Sequence, residues 1–350
     1  MSLFFPPESE EAAAAEPTPP PSTRPRLRWL RRTLAVVAAL VVVALVASAI
    51  YLGSVSKSFT SNLQRRDLLP SGLGTAGADP SAPTRPVKGN GKAIDYVLMG
   101  SDSRETDNAN AGRSDTLMVL HLAADRKNAY LISFPRDMYV AIPGHGKNKI
   151  NAAFSFGGSP LAVETLEQLL GTRMDHVALV DFDGFIRLTE QLGGVTVYNA
   201  HASKSRGYTF PKGEITVKGD QALAFVRERY ELPNGDLDRA ERQRLVVQAI
   251  VKKALSRDVL VDPAEFTGFV TGVAQNVTVD NGLSDTELRN TALSLRMGAD
   301  DLKLLQAPIT GFDTVHEQSI DVVDTEGLAE MAKALRDDDM DTYVEQHPSR

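Results

Sequence analysis

The chain has 350 residues, of which 24% are charged and 42% are hydrophobic, and its formal net charge is -7. It contains no cysteine, which excludes disulfide scaffolds, iron–sulfur clusters, thiol nucleophiles and zinc sites built on thiolates. The acidic balance argues against a nucleic-acid-binding protein that depends on overall positive charge.

The N-terminal segment predicts a disordered tail followed by a membrane helix. Residues 1–23 are rich in Pro, Ala and Glu, and five arginines follow between positions 24 and 32. Residues 34–52 carry no charge, and at about 1.5 Å per residue they form a helix of about 28 Å, close to the roughly 30 Å hydrocarbon core. We therefore expect a cytoplasmic tail with a basic flank over residues 1–33 and a single transmembrane helix over residues 34–52.

The charges around this helix predict its orientation and the location of the rest of the chain. Because the arginines precede the helix, the positive-inside bias places the N-terminus in the cytoplasm and the remainder outside the cell membrane. A cleaved signal peptide is the alternative, since Ala47-Ser48-Ala49 has the form of a cleavage site, but the apolar run is longer than a usual h-region. Residues 53–92, rich in Pro and Gly, predict a linker, and the acidic residues 337–350 predict a flexible tail.

Residues 93–336 alternate between strand-like and helix-like segments. Four runs of aliphatic and β-branched residues predict buried strands over residues 94–99, 116–122, 129–133 and 176–181. Six segments predict helices over residues 160–170, 182–192, 218–225, 239–256, 285–297 and 326–335. This order predicts one layered α/β domain with helices on both faces of a sheet.

Two aspartates lie next to the ends of predicted strands. Asp102 follows the strand that ends at Met99, and Asp115 directly precedes the next one. Magnesium takes one or two protein carboxylates and completes its coordination with water and substrate phosphate, so these aspartates are candidate ligands. The alternative is that both residues cap helices or turns. The six histidines are scattered, and none pairs at the i,i+4 spacing of a zinc site on a helix.

Basic side chains are concentrated near the same predicted strand ends. Arg136 follows a strand, and Arg227 and Arg229 share one side of the chain if their segment is extended. Arg239 and Gln243, four residues apart, share a helix face. Guanidinium groups bind phosphate oxygens bidentately, and together with a metal they would neutralise a pyrophosphate. For any single arginine, the alternative is an ordinary surface ion pair.

Six stretches of the outer domain form a further pattern. They are residues 95–104 (DYVLMGSDSR), 113–117 (RSDTL), 132–139 (ISFPRDMY), 149–158 (KINAAFSFGG), 181–195 (DFDGFIRLTEQLGGV) and 222–243 (ALAFVRERYELPNGDLDRAERQ). In this order, after one predicted membrane helix, they resemble the LytR-CpsA-Psr family of bacterial cell-wall glycopolymer transferases. The resemblance covers nearly the whole outer domain and implies a three-layer α/β/α sandwich with a central mixed sheet.

The resemblance also implies an activity. A glycopolymer would pass from a polyprenyl-pyrophosphate carrier to the muramic acid 6-hydroxyl of peptidoglycan, forming a phosphodiester, while the carrier tail lies in a hydrophobic tunnel. Asp102 and Asp115 would bind Mg²⁺, or Mn²⁺ in its place, and would act in catalysis with Arg136 and Arg229. The residues that would contact the pyrophosphate are Arg104, Arg113, Arg136, Arg227, Arg229, Arg239 and Gln243. The resemblance does not identify the general base. It also leaves three candidates for the polymer: a teichoic acid, a capsule or an arabinogalactan-type chain.

Two other functions stay open on the sequence. A non-catalytic extracytoplasmic receptor for lipid-linked phosphate ligands could use the arginines alone, whereas phosphoryl transfer would require Asp102 and Asp115 with magnesium. A hydrolase could split the pyrophosphate with water at the same site. Gene regulation on chromosomal DNA conflicts with the net charge and with the predicted location outside the cytoplasm. The predicted partners are the lipid-linked glycopolymer, peptidoglycan and the membrane, with no nucleic acid.

Overall fold

The computed structural model describes residues 61–71, 85–89, 91–101 and 114–348. The predicted cytoplasmic tail and the predicted membrane helix, residues 1–33 and 34–52, lie outside them. Within the described part of the chain, no helix combines the length and the apolar character needed to cross a bilayer.

Strands of the described chain fall into one large sheet and four small ones. In chain order they are β1 (Gln64–Arg66), β2 (Ile94–Ser101), β3 (Ser114–Leu122), β4 (Ala129–Ser133), β5 (Tyr139–Ile142), β6 (Gly146–Lys149), β7 (His176–Asp181), β8 (Val195–Asn199), β9 (Ser203–Ser205), β10 (Tyr208–Phe210), β11 (Gly213–Val217), β12 (Thr278–Asp280), β13 (Leu302–Gln306), β14 (Ile309–Val315) and β15 (Gln318–Val323). The large sheet has the order β1-β12-β7-β2-β3-β4-β13, and the small ones pair β5 with β6, β8 with β11, β9 with β10 and β14 with β15.

The large sheet is mixed. Strand β2 pairs antiparallel with β3 and parallel with β7, and β3 pairs antiparallel with β4. The edges add a parallel pair of β4 with β13, an antiparallel pair of β7 with β12 and a parallel pair of β12 with β1. The four-stranded centre β7-β2-β3-β4 is therefore extended by β12 and β1 on one side and by β13 on the other.

Helices connect these strands. In chain order they are α1 (Asn151–Leu170), α2 (Phe182–Gln191), α3 (Gly219–Arg227), α4 (Asp236–Ala254), α5 (Arg257–Val261), α6 (Pro263–Asn276), α7 (Asp285–Ser294), α8 (Thr325–Asp337) and α9 (Met340–Gln346). Helix α1 is interrupted at Gly157 and Gly158, and Gly158 has a φ of 66° that favours glycine. Asp181 caps α2 by accepting a hydrogen bond from the backbone N–H of Gly184.

Alternate residues of the central strands pack against helices on opposite faces. Val97 and Val119 belong to the same buried cluster as Leu166 of α1. Met118, next to Val119 in β3, instead packs with Val247 of α4. This alternation follows from the period of two in a strand. It confirms the predicted α/β fold with helices on both faces of a central mixed sheet.

The predicted secondary structure of the domain is confirmed where the apolar pattern is strong. The four predicted strands correspond to β2, β3, β4 and β7, and the six predicted helices correspond to α2, α3, α4, α7, α8 and the second part of α1. Expectation and structure differ by a few residues at most of the ends. These elements could be predicted because their apolar residues recur with the period of a strand or a helix and are buried in the core.

Part of the predicted linker belongs to the folded domain, which corrects the prediction for residues 53–92. Strand β1 joins the edge of the large sheet, and the neighbouring Leu63 and Leu68 are buried. Further along, Arg85 donates to the buried carboxylate of Glu167 on α1 at 2.9 Å through its Nε. Leu63 and Leu68 are five residues apart, so the apolar pattern around β1 is too sparse to predict a strand.

The predicted tail is corrected in the same way. Residues 340–346 form α9, in which Met340 and Tyr343 are buried against the core that α1 and α8 share. Asp341 accepts a hydrogen bond from the Tyr130 hydroxyl and another from the Asn128 amide at 2.9 Å. The acidic side chain of Asp341 thus accepts hydrogen bonds from residues far away in the sequence, and no local sequence pattern predicts such contacts.

A buried histidine joins three separate parts of the domain. The Nδ1 atom of His121 lies 2.7 Å from Oδ1 of Asp95, and its Nε2 atom lies 3.0 Å from Oδ1 of Asp338. Burial opposes protonation, but the hydrogen bonds and charges of Asp338 and Asp95 outweigh it and raise the pKa of His121 to about 9. Because this value exceeds the ordinary value of about 6.5, the charged imidazole stabilises the fold at low pH, and that stabilisation is lost as pH rises through the folded pKa.

We expect the free energy of unfolding to fall by on the order of 2 kcal/mol between about pH 6.5 and pH 9. Replacing His121 by glutamine should reduce this slope, as measured by urea denaturation at a series of pH values. His347→Gln is the matched control, since the His347 side chain is 41% exposed, and it should retain the wild-type slope. An unchanged slope in His121→Gln would contradict the assignment.

Candidate active site

The structure describes the side chains of five of the predicted site residues. Arg136 follows β4, Arg227 is the last residue of α3, and Arg229 lies in the connection to α4. Arg239 and Gln243 lie in the first turns of α4 and are both buried. The connection between α3 and α4 and the end of β4 therefore position these side chains.

The other four predicted residues are not placed by the structure. Asp102, Arg104 and Arg113 lie outside the described residues, and Asp115 is described only through its backbone, as part of β3. The described residues contain no group of three or more His, Asp or Glu side chains that could hold a metal ion. The predicted magnesium site consequently stays a prediction.

Three of the predicted arginines converge on one carboxylate, that of Asp236 in the first turn of α4. Arg136 Nε lies 2.9 Å from Asp236 Oδ2, and Arg239 NH1 lies 3.1 Å from Oδ1. Arg229 NH1 lies 3.3 Å from the same Oδ1 atom. We call these four residues the arginine cluster. Its members are only partly accessible, with side-chain exposures of 7% for Arg239 and 31% for Arg229.

The electrostatics of the arginine cluster are dominated by its positive charge. Burial alone would raise the pKa of Asp236, but the charges of Arg239, Arg136 and Arg229 outweigh it and hold that pKa below its usual value. Asp236 is thus ionised at neutral pH, yet its one negative charge faces three positive ones. The cluster keeps a net positive charge that suits a polyanionic ligand.

The connection between α3 and α4 is held by its own hydrogen bonds. The Glu228 carboxylate accepts from the backbone N–H groups of Tyr230 and Glu231, at 2.7 and 2.9 Å. The Asp238 carboxylate accepts from the backbone N–H of Asn234 at 2.8 Å. These contacts fix the backbone around Arg229, and they explain why acidic residues alternate with arginines here.

Arg227 and Gln243 have a different environment from the arginine cluster. The Arg227 guanidinium lies 4.4 Å from the centre of the Phe182 ring, and Gln243 donates to the Val226 carbonyl at 3.3 Å. The prediction that Arg227 and Arg229 share one side assumed an extended segment, but Arg227 still belongs to α3. Arg227 and Gln243 instead line an adjacent cavity.

This apolar cavity has a volume of about 230 Å³ and lies between the sheet and helices α2, α3 and α4. Most of its lining is aliphatic or aromatic and comes from side chains that include Leu98, Met118, Phe185, Leu223, Val246 and Ile250. The cavity is connected to the arginine cluster through α4, because Arg239 and Gln243 are one turn apart on that helix. A ligand with a charged head and an apolar tail would fit this pair of neighbouring environments.

Sequence reasoning missed three aspartates around Arg136. Asp236 holds the arginine cluster, and Asp137 pairs with Lys149 at 3.0 Å. Asp321 in β15 is buried, and its Oδ2 atom has no hydrogen-bond partner among the described residues. Burial and the charges of Asp137 and Asp236 raise the pKa of Asp321 to about 6. The first two lie within the quoted stretches and could have been found there, whereas no local signal marks Asp321.

The chain is similar in sequence to a known protein family. The LytR_cpsA_psr family model matches residues 73–337. The polyisoprenyl-teichoic acid–peptidoglycan teichoic acid transferase TagU of Enterococcus faecalis is 37% identical over 235 residues, which make up 66% of this chain and 76% of that protein. Further relatives of the same name are matched over 52% to 65% of their own length, so the chain spans about half to two thirds of them.

Solved structures show the same fold. The crystal structure of B. subtilis TagV is 30% identical and superposes with a TM-score of 0.59 over 71% of this chain and 98% of that one. A structure of TagT bound to LIIa-WTA is 27% identical, with a TM-score of 0.56 over 77% of this chain and 98% of that one. On the sequence match and the shared fold, the chain belongs to the LytR-CpsA-Psr family.

Proposed function

We propose that the protein is a phosphotransferase of cell-wall assembly. It attaches a glycopolymer from a polyprenyl-pyrophosphate carrier to peptidoglycan through a phosphodiester bond. The names of its relatives support this reaction, since they are polyisoprenyl-teichoic acid–peptidoglycan teichoic acid transferases. A teichoic acid is therefore the polymer we test first.

One observation carries the proposal: three guanidinium groups meet at one carboxylate beside an apolar cavity. Each phosphate of a pyrophosphate diester carries a negative charge, and the three guanidinium groups of the arginine cluster outnumber the carboxylates of Asp236 and Asp137 that pair with them. The isoprenoid tail of the carrier is apolar, as is the lining of the cavity. The site thus matches both ends of a lipid-linked pyrophosphate.

The arginine cluster also fits the chemistry of the transfer. The acceptor hydroxyl oxygen forms a bond to the sugar-proximal phosphorus, while the bond from that phosphorus to the bridging oxygen breaks. The hydroxyl proton passes to a base or to solvent, and polyprenyl phosphate leaves with the bonding electron pair. Negative charge grows on the bridging oxygen in the transition state, and fixed guanidinium charges stabilise it more than they stabilise the ground state.

A magnesium ion would complete this site. We propose Asp102 and Asp115 as its protein ligands, in support of which Ser101 of β2 is the register partner of Ser114 of β3. In the sequence, Asp102 directly follows Ser101 and Asp115 directly follows Ser114. Two carboxylates suit Mg²⁺, which also takes phosphate oxygens; when bound, it would supply charge neutralisation at the phosphoryl group.

We also propose where the reaction occurs. Residues 34–52 would anchor the chain in the cell membrane as a single uncleaved helix, with residues 1–33 in the cytoplasm. The catalytic domain would then face the outer side of the membrane. This is where a polyprenyl-linked polymer and peptidoglycan can both reach it.

The test is a transfer assay with the full-length chain in detergent. A polyprenyl-pyrophosphate-linked teichoic acid precursor and peptidoglycan fragments are incubated with and without magnesium, and products are identified by mass spectrometry. The transferase yields a sugar–phosphate–sugar linkage together with polyprenyl phosphate. Release of a sugar phosphate with no coupled product would instead establish a hydrolase, and tight binding without turnover would establish a receptor.

Narrowing the apolar cavity should weaken the binding of donors that have a long polyprenyl chain. Val246 lines the cavity and is 1% exposed, so Val246→Phe places a larger ring where the isoprenoid tail would lie. We expect KM to rise about ten-fold for a donor with a long polyprenyl chain and much less for one with two isoprene units. Val259, at 3% exposure outside the cavity, provides the matched control Val259→Phe, and equal effects on both donors in Val246→Phe would contradict the tail assignment.

A further inference from the structure

A second, polar groove shares Arg136 with the arginine cluster. Its volume is about 330 Å³, in the range of small-ligand sites of roughly 300–1,000 Å³. It is formed where the β5–β6 hairpin, the start of α1 and β15 meet. The polar groove is defined here by Arg136, Lys149, Asn151, Ser155, Phe156 and Gln318.

Arg136 belongs to both the polar groove and the arginine cluster. Its backbone carbonyl accepts a hydrogen bond from Asn151 at 3.2 Å, while its Nε lies 2.9 Å from Asp236 Oδ2. Because Arg136 borders both places, a ligand in the polar groove would lie next to the proposed phosphoryl site. The apolar cavity adjoins the arginine cluster through α4, so donor tail, reacting phosphate and groove ligand would each have a separate place.

The side chains of the polar groove match a carbohydrate. The amides of Asn151 and Gln318 and the hydroxyl of Ser155 can both donate and accept, as sugar hydroxyl and acetamido groups do. Phe156 is 43% exposed, and its ring stacks on His145 with a centroid distance of 4.6 Å. A held, exposed aromatic ring offers a surface for the apolar C–H face of a sugar.

The charge of the polar groove argues against a polyphosphate as its ligand. It contains two cationic side chains, but Lys149 pairs with Asp137 at 3.0 Å. Asp137 also lines the groove and lies 3.6 Å from Arg136 Nε, so one carboxylate faces both cations there. A neutral or weakly charged glycan fits this balance better than a nucleic acid, whose binding depends on many unpaired cations.

We propose that the polar groove is the acceptor subsite, in which a peptidoglycan glycan strand lies with its reacting hydroxyl next to Arg136. This inference rests on the proposed function for the identity of the acceptor. It adds the residues that would position it: Asn151, Ser155 and Gln318 through hydrogen bonds, and Phe156 through ring contact. It also predicts that acceptor and donor bind in separate places that share Arg136.

The test measures acceptor binding directly and separately from transfer. A fluorescently labelled oligosaccharide of alternating N-acetylglucosamine and N-acetylmuramic acid is titrated with the full-length chain, and anisotropy gives its Kd. We expect the Asn151→Ala/Gln318→Ala double variant to weaken binding about ten-fold, because two hydrogen bonds are lost. Phe156→Ala should weaken it by a similar factor, and in the transfer assay both variants should raise the acceptor KM.

Asn290→Ala is the control, because Asn290 is an exposed amide on α7 outside the polar groove. It should bind the oligosaccharide with wild-type affinity. Wild-type Kd and acceptor KM in the groove variants would overturn the acceptor subsite while leaving the transferase proposal intact. Oligosaccharide binding that depends on the groove residues, together with no transfer product, would instead refute the transferase and retain the glycan site.

Discussion

Replacing Arg136 by alanine is expected to lower the rate of glycopolymer transfer by roughly two to three orders of magnitude. Arg136 is one of three guanidinium groups on Asp236 and the one that also borders the polar groove. Its loss removes charge from the place where negative charge grows in the transition state. Asp236 keeps Arg229 and Arg239 as partners, so the fold should survive the substitution.

Three further measurements make this prediction specific. Arg136→Lys retains the charge but not the planar fork, and it should recover only part of the activity. Arg229→Ala should lower the transfer rate by a similar factor. The loss in the Arg136→Ala/Arg229→Ala double variant should be smaller than the product of the two single losses, since both side chains share Asp236. Arg289→Ala, an exposed arginine on α7, should retain wild-type turnover. Near-normal kcat in Arg136→Ala, with an unchanged Tm, would remove Arg136 from the phosphoryl site.

The fold could be predicted where burial makes a pattern in the local sequence. Strands β2, β3 and β4 are aliphatic because both faces of the sheet are covered. The edge strand β1 and its neighbour β12 have only three residues each, which is too short for a period to appear. Strand β13 joins β4 after more than 160 residues of intervening chain, so its place in the sheet depends on long-range packing and not on local propensity.

The site could be predicted in its chemistry but not in its arrangement. The arginines were recognisable because guanidinium groups near strand ends predict phosphate binding. Asp236 was missed because an acidic residue at the start of a helix has an ordinary explanation in the helix dipole. Its function as the common partner of Arg136 and Arg229 depends on a contact across 100 residues. Arg227 lines the apolar cavity and does not join the arginine cluster, because it is the last residue of α3 whereas Arg229 lies beyond the helix end. The sequence does not show where α3 ends.

Removal of magnesium is expected to lower the transfer rate by roughly 10³-fold. A divalent cation between Asp102 and Asp115 would add to the arginine cluster's stabilisation of the negative charge that grows in the transition state. Treatment with EDTA should therefore abolish product formation, and adding Mg²⁺ or Mn²⁺ should restore it. Magnesium should also raise the Tm of the full-length chain, because an ion that binds only the folded state stabilises it.

The variants Asp102→Asn and Asp115→Asn test whether magnesium acts by binding to these two aspartates or through a general effect of salt. Each variant lacks one charged ligand, so each should lose most activity, need more magnesium for what remains and show little magnesium-dependent rise in Tm. Asp313→Asn is the matched control, since Asp313 is an exposed residue of β14, and its magnesium dependence should equal that of the wild type. Full activity in EDTA would show that the arginine cluster suffices alone, and an unchanged magnesium dependence in both variants would place the metal on other ligands.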